Sequence, residues 1–107
     1  MKKIVVLVRT DIGMHTSKHK GKMAAQVGHA VRGLRDRTTK SAMICVRVDD
    51  LTMLEDIVNK ATYEKLDNVI ITDSGKTLFK EPTITCGAIG PGDPEVIDKL
   101  TGHLKLI

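Results

Sequence analysis

The chain has 107 residues, a 41% apolar fraction and a net charge of +4, which together suit one folded domain spanning residues 1–107. Its longest apolar runs, such as residues 4–8, are too short to cross a bilayer, and the N-terminus has no long apolar segment followed by a cleavage site. We therefore expect a cytoplasmic protein without membrane contact. Cys45 and Cys86 lack the spacing of metal ligands, so we expect reduced core cysteines, no metal ion and no cofactor.

Strand and helix patterns alternate along the chain. Strands are predicted at residues 2–9, 42–48, 68–72 and 83–90, with a last short one at 103–107. Helices are predicted at about 20–35, at 51–62 after an N-cap at Asp49 or Asp50, and from Pro94 to a stop at Gly102 after an N-cap at Asp93. This order predicts an α/β fold in which helices cover a mixed sheet.

The first predicted helix carries a polar stripe beside its apolar face. Lys22, Gln26 and His29 recur at intervals of four and three, so they share one side of the helix. The neighbouring face consists of apolar residues expected to bury against the sheet: Met23, Val27, Ala30, Val31 and Leu34. By geometry alone, the stripe is either a solvated flank of the helix or a functional surface.

Positive charge is concentrated between Met14 and Lys40. Asp36 is the single acid of this segment in the sequence, against seven cations: Lys18, Lys20, Lys22, Arg32, Arg35, Arg37 and Lys40. Such a cluster suits a polyanion, most often nucleic-acid phosphate, although a solvated basic helix without a partner has the same pattern. Because Tyr63 and Phe79 are the only aromatic residues, contacts with RNA should depend on charge rather than on base stacking.

The segment DSGKT, residues 73–77, contains a Gly-Lys-Thr triplet after a strand, as the phosphate-binding loops of NTPases do. Such a loop also needs a glycine five residues before its second glycine, and that position is Ile70. Because Ile70 lies inside a predicted strand and no helix obviously follows Thr77, we interpret the segment as a polar turn.

Three segments resemble, in order, the signature blocks of the class II peptidyl-tRNA hydrolase family, the archaeal and eukaryotic type. They are GKMAAQVGHA (21–30), TDSGKT (72–77) and CGAIGPGDPEVIDKLTGHLKLI (86–107), and VVLVRTDIGM (5–14) is similar to the family's first strand and loop. The resemblance implies a three-layer α/β/α single domain with a mixed, mostly parallel four-stranded sheet. It also implies an enzyme that hydrolyses the ester joining a peptide to the 3′ ribose of tRNA, with tRNA as partner and no metal required.

The resemblance also selects candidate catalytic residues. Lys22 and Gln26 match the family's helix-borne polar pair, and Asp73 matches the acid that opens its DAG turn. Asp73 could orient or deprotonate the attacking water, while Lys22 or Gln26 could face the oxyanion. A Lys22–Asp73 ion pair could equally be a structural tie between helix and loop.

Candidate substrate-binding residues come from the family pattern and from the basic cluster. His29, Lys76 and Thr77 fall on positions of the family motifs, and three cations of the basic cluster complete the set: Lys18, Lys20 and Arg35. For His29, we expect packing or a local hydrogen bond rather than a role as base, because the sequence supplies no orienting acid nearby.

The chain departs from the family pattern in ways that leave a second function open. Only about ten residues separate the helix motif from the second strand, where family members continue with a longer helix and another helical segment. Ser74, Lys76 and Leu78 stand where Ala, Arg and a polar residue are usual. The alternative is a catalytically weak or inactive tRNA-binding regulatory protein of the same fold. An apolar face left by the shortening would favour a homodimer.

Overall fold

A computed structural model describes residues 1–36 and 40–107. Its elements in chain order are β1 (Lys3–Arg9), a 3-10 turn (Ser17–His19), α1 (Lys20–Arg32), β2 (Ala42–Val48), α2 (Leu51–Tyr63), β3 (Asn68–Asp73), β4 (Thr83–Gly92) and α3 (Pro94–Thr101). The main predicted helices and strands are confirmed, with ends that differ by three residues or fewer. Within the described ranges, no helix has the length and apolar character needed to span a membrane.

The four strands form one mixed sheet in the order β2-β1-β4-β3. β1 and β2 are parallel, whereas β4 is antiparallel to both of its neighbours. The expected mixed sheet is therefore confirmed, but the expectation that it is mostly parallel is wrong, since only one of its three neighbouring strand pairs is parallel. The reason is the connection length, because α1 allows a parallel crossover from β1 to β2, while the short segment 74–82 returns the chain antiparallel from β3 to β4.

Helices cover both faces of the sheet and produce the predicted three layers. One face packs on α1 through a core that includes Ile4, Val6, Val8, Ala30 and Leu34. The opposite face packs on α2 and α3 through Val5, Leu7, Leu54, Ile57 and Ile97, among others. Successive residues of β1 point to opposite faces, and both faces are buried, which explains why this strand is apolar throughout.

The helix α1 ends at Arg32, three residues before the predicted end. The amide of Gly33 donates to the carbonyls of His29 and Ala30, both at 3.1 Å, and closes the last turn. A Cβ atom on Gly33 would lie 2.9 Å from Cγ2 of Val69 in β3. Glycine therefore allows the end of α1 to approach β3 closely, and α1 lies along that strand.

Three predictions concerned the N-caps of α2 and α3 and a strand at the C-terminus. Asp50, rather than Asp49, caps α2, since its Oδ1 accepts from the amide of Met53 at 2.9 Å. Asp93 caps α3 as predicted, with Pro94 as the first helical residue. The predicted last strand at 103–107 is reduced to one antiparallel bridge between Val46 and Leu106.

Both cysteines are free, as predicted, and belong to the α1 side of the sheet. Cys86 is fully buried, and desolvation raises the pKa of its thiol from 9.0 to about 11. Cys45 is half-buried, and its pKa is raised for the same reason. Neither thiol is therefore a ready thiolate at neutral pH.

Candidate active site

The predicted catalytic residues Lys22, Gln26 and Asp73 lie together where α1 passes the end of β3. Lys22 is in the first turn of α1, and its Nζ donates to Oδ1 of Asp73 at 2.5 Å and to Oγ1 of Thr77 at 2.7 Å. Asp73 ends β3 and is only 8% exposed. The two residues are 51 positions apart in sequence, and the antiparallel alignment of α1 with β3 brings them into contact.

A buried hydrogen-bond chain fixes the orientation of Gln26. The hydroxyl of Thr85 donates to Oε1 of Gln26 at 2.7 Å, so the amide nitrogen faces Asp73, with Nε2 3.4 Å from Oδ1. Gln26 is 4% exposed and Thr85 is fully buried. Buried polar groups are costly unless they are paired, and this chain pairs both of them. We call Lys22, Gln26, Asp73 and Thr85 the polar cluster.

The carboxylate of Asp73 is held in its ionised form. The hydrogen bond from Lys22 lowers the pKa of Asp73 most, followed by the bond from the backbone amide of Gly75, which reaches Oδ2 at 2.9 Å. Burial acts in the opposite direction but is the smaller influence, and the positive charge of Lys22 adds a further lowering. The pKa of Asp73 is therefore lower in the folded protein than in the unfolded chain. At pH values above the unfolded-state pKa these contacts stabilise the fold fully. This stabilisation is lost as the pH falls through the folded-state pKa of Asp73.

Gly75 makes the turn after Asp73 possible. Its φ is +87°, and a Cβ atom there would overlap the backbone of Glu81. This backbone conformation delivers the Gly75 amide to the Asp73 carboxylate. No helix follows Thr77, so the interpretation of DSGKT as a turn rather than an NTPase loop is confirmed.

An open groove of about 510 Å³ runs from the polar cluster along α1 and the outer edge of β3. We call it the β3 groove. It is lined by four residues of α1 and its end and by five consecutive residues from β3 and the turn that follows: Gln26, His29, Arg32, Gly33, Ile70, Ile71, Thr72, Asp73 and Ser74. A substrate in this groove would meet the Asp73 end of the polar cluster directly.

The predicted basic residues do not form one patch. Lys18 and Lys20 lie at the start of α1, and Lys76 lies in the turn after β3, all exposed and close in the chain to Lys22 or Asp73. Arg35 is also exposed but follows the far end of α1, where its amide donates to Asp67. A 13-residue helix is about 20 Å long, so two basic regions result. Arg37, part of the predicted cluster, lies outside the described residues.

His29 is exposed on α1, so the packing interpretation of this residue is wrong and the local hydrogen bond is confirmed. Its Nδ1 lies 2.9 Å from Nη2 of Arg32, three residues on. The imidazole also lines the β3 groove on its α1 side. His29 therefore faces the region where a substrate would lie.

The sequence interpretation missed Thr85. Its hydroxyl completes the polar cluster, yet it stands inside the apolar run of β4 next to Cys86, and alternation would place the two on opposite faces. Ile71 of β3 pairs with Cys86 of β4, but the next residue, Thr72, pairs with Ile84. The register therefore shifts by one residue, and Thr85 has no pairing partner in β3. This β-bulge turns both Thr85 and Cys86 towards Gln26. In the sequence, the only indication of a role for Thr85 was that it is a polar residue inside an apolar strand.

Within residues 1–36 and 40–107, no group of three His, Cys, Asp or Glu side chains is arranged to hold a metal ion.

Leu78, one of the departures from the family pattern, packs against the apolar core on the α1 side. Its apolar character therefore has a structural reason.

The chain is similar over nearly its whole length to proteins of one family. Residues 2–107 match the family described as peptidyl-tRNA hydrolase PTH2. A peptidyl-tRNA hydrolase of Methanocaldococcus jannaschii is 42% identical, and one of Metallosphaera sedula is 40% identical; each alignment covers 98% of this chain and 99% of the relative. A probable peptidyl-tRNA hydrolase 2 of Drosophila melanogaster is 35% identical, over 98% of this chain and 61% of the relative.

The archaeal alignments extend over 118 and 120 positions, more than the 107 residues of this chain, so these relatives contain residues that it lacks. This agrees with a shortened chain, whose polar cluster nevertheless has its side chains in contact. The family match over nearly the whole length, with identities of about 40%, confirms the resemblance seen in the three sequence blocks: this chain belongs to the peptidyl-tRNA hydrolase PTH2 family.

Proposed function

We propose that this protein hydrolyses the ester bond of peptidyl-tRNA and releases the peptide and free tRNA, with Lys22, Asp73 and Gln26 as its catalytic residues. The observation that carries the assignment of residues is the contact of a nearly buried, ionised Asp73 with Lys22 at the end of an open groove. A charged pair fixed by further hydrogen bonds beside an accessible cavity is typical of a reaction centre.

Asp73 is better suited to orienting the attacking water than to removing its proton in a separate step. A general base works best when its pKa is near the working pH, whereas the pKa of Asp73 is lowered. Its carboxylate can accept a hydrogen bond from water and align an oxygen lone pair with the ester carbonyl. Water then adds to the carbonyl carbon, the bond from that carbon to the 3′ ribose oxygen breaks, and one proton of the attacking water passes to the ribose oxygen. The products are the carboxylic acid of the peptide and the free 3′ hydroxyl of the tRNA.

Lys22 is the best-placed group for the negative charge that develops on the carbonyl oxygen. An ammonium carries three hydrogens, and the bonds to Asp73 and Thr77 use two of them. The third is available to a substrate oxygen, and a fixed positive charge at such a position stabilises the tetrahedral intermediate more than the ester. Gln26, oriented by Thr85, provides a second N–H beside Asp73.

Binding of tRNA is proposed at the exposed cations around the start of α1. Lys18 and Lys20 lie two to four residues before Lys22 in the chain, Lys76 lies three residues after Asp73, and all three are exposed. His29, Arg35 and Thr77 complete the proposed substrate-binding set. A substrate that takes part in translation also favours a cytoplasmic location, which we propose together with a single domain over residues 1–107.

A homodimer is proposed from apolar side chains near the edge strand β2. Met43 of β2 is 50% exposed, and Leu106, which bridges to β2, is 63% exposed. Exposed apolar groups of this size are frequent at contacts between subunits. Sedimentation equilibrium of the wild type and of Met43→Lys tests the proposal, because a dimer through this edge should dissociate in the variant.

Hydrolysis of an N-blocked aminoacyl-tRNA by the purified protein tests the activity. Free N-blocked amino acid and deacylated tRNA should appear together in equal amounts, at a rate proportional to enzyme concentration. The alternative, a tRNA-binding regulatory protein without turnover, predicts binding of the same substrate with no product. Binding alone therefore does not discriminate between the two functions, whereas product formation does.

A further inference from the structure

Consecutive residues of the edge strand β3 line the β3 groove. β3 is the last strand in the order β2-β1-β4-β3, and in the described part of the chain no further strand pairs with its outer side. The groove lining includes Ile70, Ile71 and Thr72 of this strand. An unpaired sheet edge presents backbone N–H and C=O groups to an extended chain that lies beside it.

The phase of the strand pairing shows which backbone groups face the groove. The amide of Gly90 donates to the carbonyl of Asp67 at 2.8 Å, which makes these two residues a hydrogen-bonded pair. Hydrogen-bonded and non-hydrogen-bonded pairs alternate along an antiparallel ladder, so Ile70 and Gly87, three positions on, form a non-hydrogen-bonded pair. The N–H and C=O of Ile70 therefore point away from β4, towards the groove.

We propose that the outer edge of β3 binds the C-terminal segment of the peptide in peptidyl-tRNA as an added parallel strand, with hydrogen bonds to the backbone of Ile70. The inference rests on the proposed function, which puts the ester at Asp73. A peptide whose C-terminus is at Asp73 and whose chain follows the groove back towards Asn68 runs in the same direction as β3.

The spacing along the strand predicts which peptide residue makes the contact. Ile70 lies three residues before Asp73, a distance of about 10 Å along a strand. The third or fourth residue counted from the ester would therefore lie opposite Ile70. Addition of a strand to a sheet edge uses main-chain hydrogen bonds, so it recognises a peptide without regard to its side chains.

The character of the β3 side of the groove favours the peptide over the RNA as the occupant beside that strand. Lys18 and Lys20 precede Lys22 in the chain and Lys76 follows Asp73, so these exposed cations suit a tRNA backbone outside the groove. The β3 side consists of the uncharged residues Ile70, Ile71 and Thr72 before it reaches Asp73, while Arg32 lines the groove on its α1 side. The acceptor end of the tRNA in the groove is the competing arrangement, and it predicts a different outcome below.

The test compares two substrates on one tRNA that share the same C-terminal amino acid. One carries a single N-acetylated residue, and the other carries an N-acetylated tetrapeptide. We expect the wild-type kcat/KM to be about 10-fold higher for the tetrapeptide, since a hydrogen bond contributes about 2- to 10-fold and Ile70 offers two groups. Ile70→Pro removes the outward N–H and should reduce this gain to about 2-fold or less, because proline is tolerated at a strand edge that faces outward.

Ile70→Ala is the matched control, because it loses similar packing but retains the N–H, so it should keep the 10-fold gain. Equal activity of the wild type on both substrates, or an unchanged gain in Ile70→Pro, would overturn the inference. An equal loss on both substrates in Ile70→Pro relative to Ile70→Ala would assign the groove to the RNA. Failure of the wild type to hydrolyse either substrate would instead contradict the proposed function.

A second measurement covers the case in which Ile70→Pro does not fold. The ¹⁵N-labelled wild-type protein is titrated with N-acetyl-tetra-alanine, which has the chemistry of a product peptide. The amide signal of Ile70 should shift and its hydrogen exchange should slow, while the amide of Lys60 in α2, on the other side of the sheet, remains unchanged. Absence of any change at Ile70 at saturating peptide would contradict the proposal.

Discussion

The polar cluster and the basic surface around α1 differ in how their side chains are held. In the polar cluster, Lys22, Gln26 and Asp73 are tied by hydrogen bonds between α1, β3 and the turn after it. Lys18, Lys20 and Lys76 are exposed and lie on the protein surface. The first region depends on exact positions and the second on total charge. Substitutions in the polar cluster should therefore have large and non-additive effects on turnover, whereas substitutions on the surface should have small effects on binding that add up.

The largest effect is expected for Asp73→Asn. This change removes the carboxylate but keeps the volume and much of the hydrogen-bonding capacity, so turnover should fall ~10²-fold or more with tRNA binding nearly unchanged. Lys22→Ala should also reduce turnover, and the double variant should be little worse than the poorer single one, because residues that serve one step are not additive. Steady-state kinetics and binding of deacylated tRNA measure both.

Asp98→Asn is the control for this substitution. Asp98 of α3 forms an ion pair with Lys3 at 2.7 Å, with a side chain that is 52% exposed, and its loss should leave turnover within about twofold, as an exposed ion pair contributes little. If the Lys22–Asp73 pair is only a structural tie, Asp73→Asn and Lys22→Ala would lower Tm together while activity well below Tm survives. That outcome would contradict the catalytic assignment.

Thr85→Val is expected to reduce turnover by about 10-fold. The substitution keeps the shape but removes the donor to Oε1 of Gln26, so the amide loses its orientation towards Asp73. An unpaired buried acceptor also costs about 1–3 kcal/mol of unfolding free energy. Thr101→Val serves as comparison, because Thr101 is similarly buried but donates to the carbonyl of Ile97 within α3. A variant at Thr101 should lose stability without losing activity, and similar kinetics for both variants would remove Thr85 from the site.

Removal of surface charge should have a smaller and graded effect. The triple variant Lys18→Ala, Lys20→Ala, Arg35→Ala should weaken tRNA binding about 10-fold at moderate salt. Its plot of log K against log salt should be flatter, by about 0.7–0.9 for each phosphate that the variant no longer neutralises. The control removes three cations of the α2 and α3 side: Lys60, Lys65 and Lys99. An equal weakening in both variants would indicate that net charge alone, rather than the α1 surface, controls binding.

The smallest effect is expected for His29→Gln. His29 is exposed and its hydrogen bond to Arg32 is local, so glutamine at this position should reduce turnover no more than about threefold and leave Tm nearly unchanged. Kinetics at saturating substrate and a thermal melt test both statements. A folded variant that loses nearly all turnover would show that the imidazole belongs to the reaction centre together with the polar cluster.

Local patterns in the sequence were enough to predict the elements and the core. The apolar spacing of α1 correctly selected Ala30 and Leu34 as buried residues, and proline after aspartate correctly marked the start of α3. The three sequence blocks also selected Lys22, Gln26 and Asp73, which the structure brings into contact. These features depend on neighbours within a turn or two, or on a motif, and so they can be predicted without the fold.

The tertiary structure decided the features that depend on pairing across the sheet. The β-bulge opposite Ile71 and Thr72 turns Thr85 towards Gln26. The pattern of apolar and polar residues along β4 does not predict this bulge. The separation of Arg35 from Lys18 follows from the length of α1, and the exposed edge of β3 follows from the strand order. A sequence determines which side chains share a helix face. Only the register and order of the strands determine which distant residues meet and which backbone groups stay unpaired.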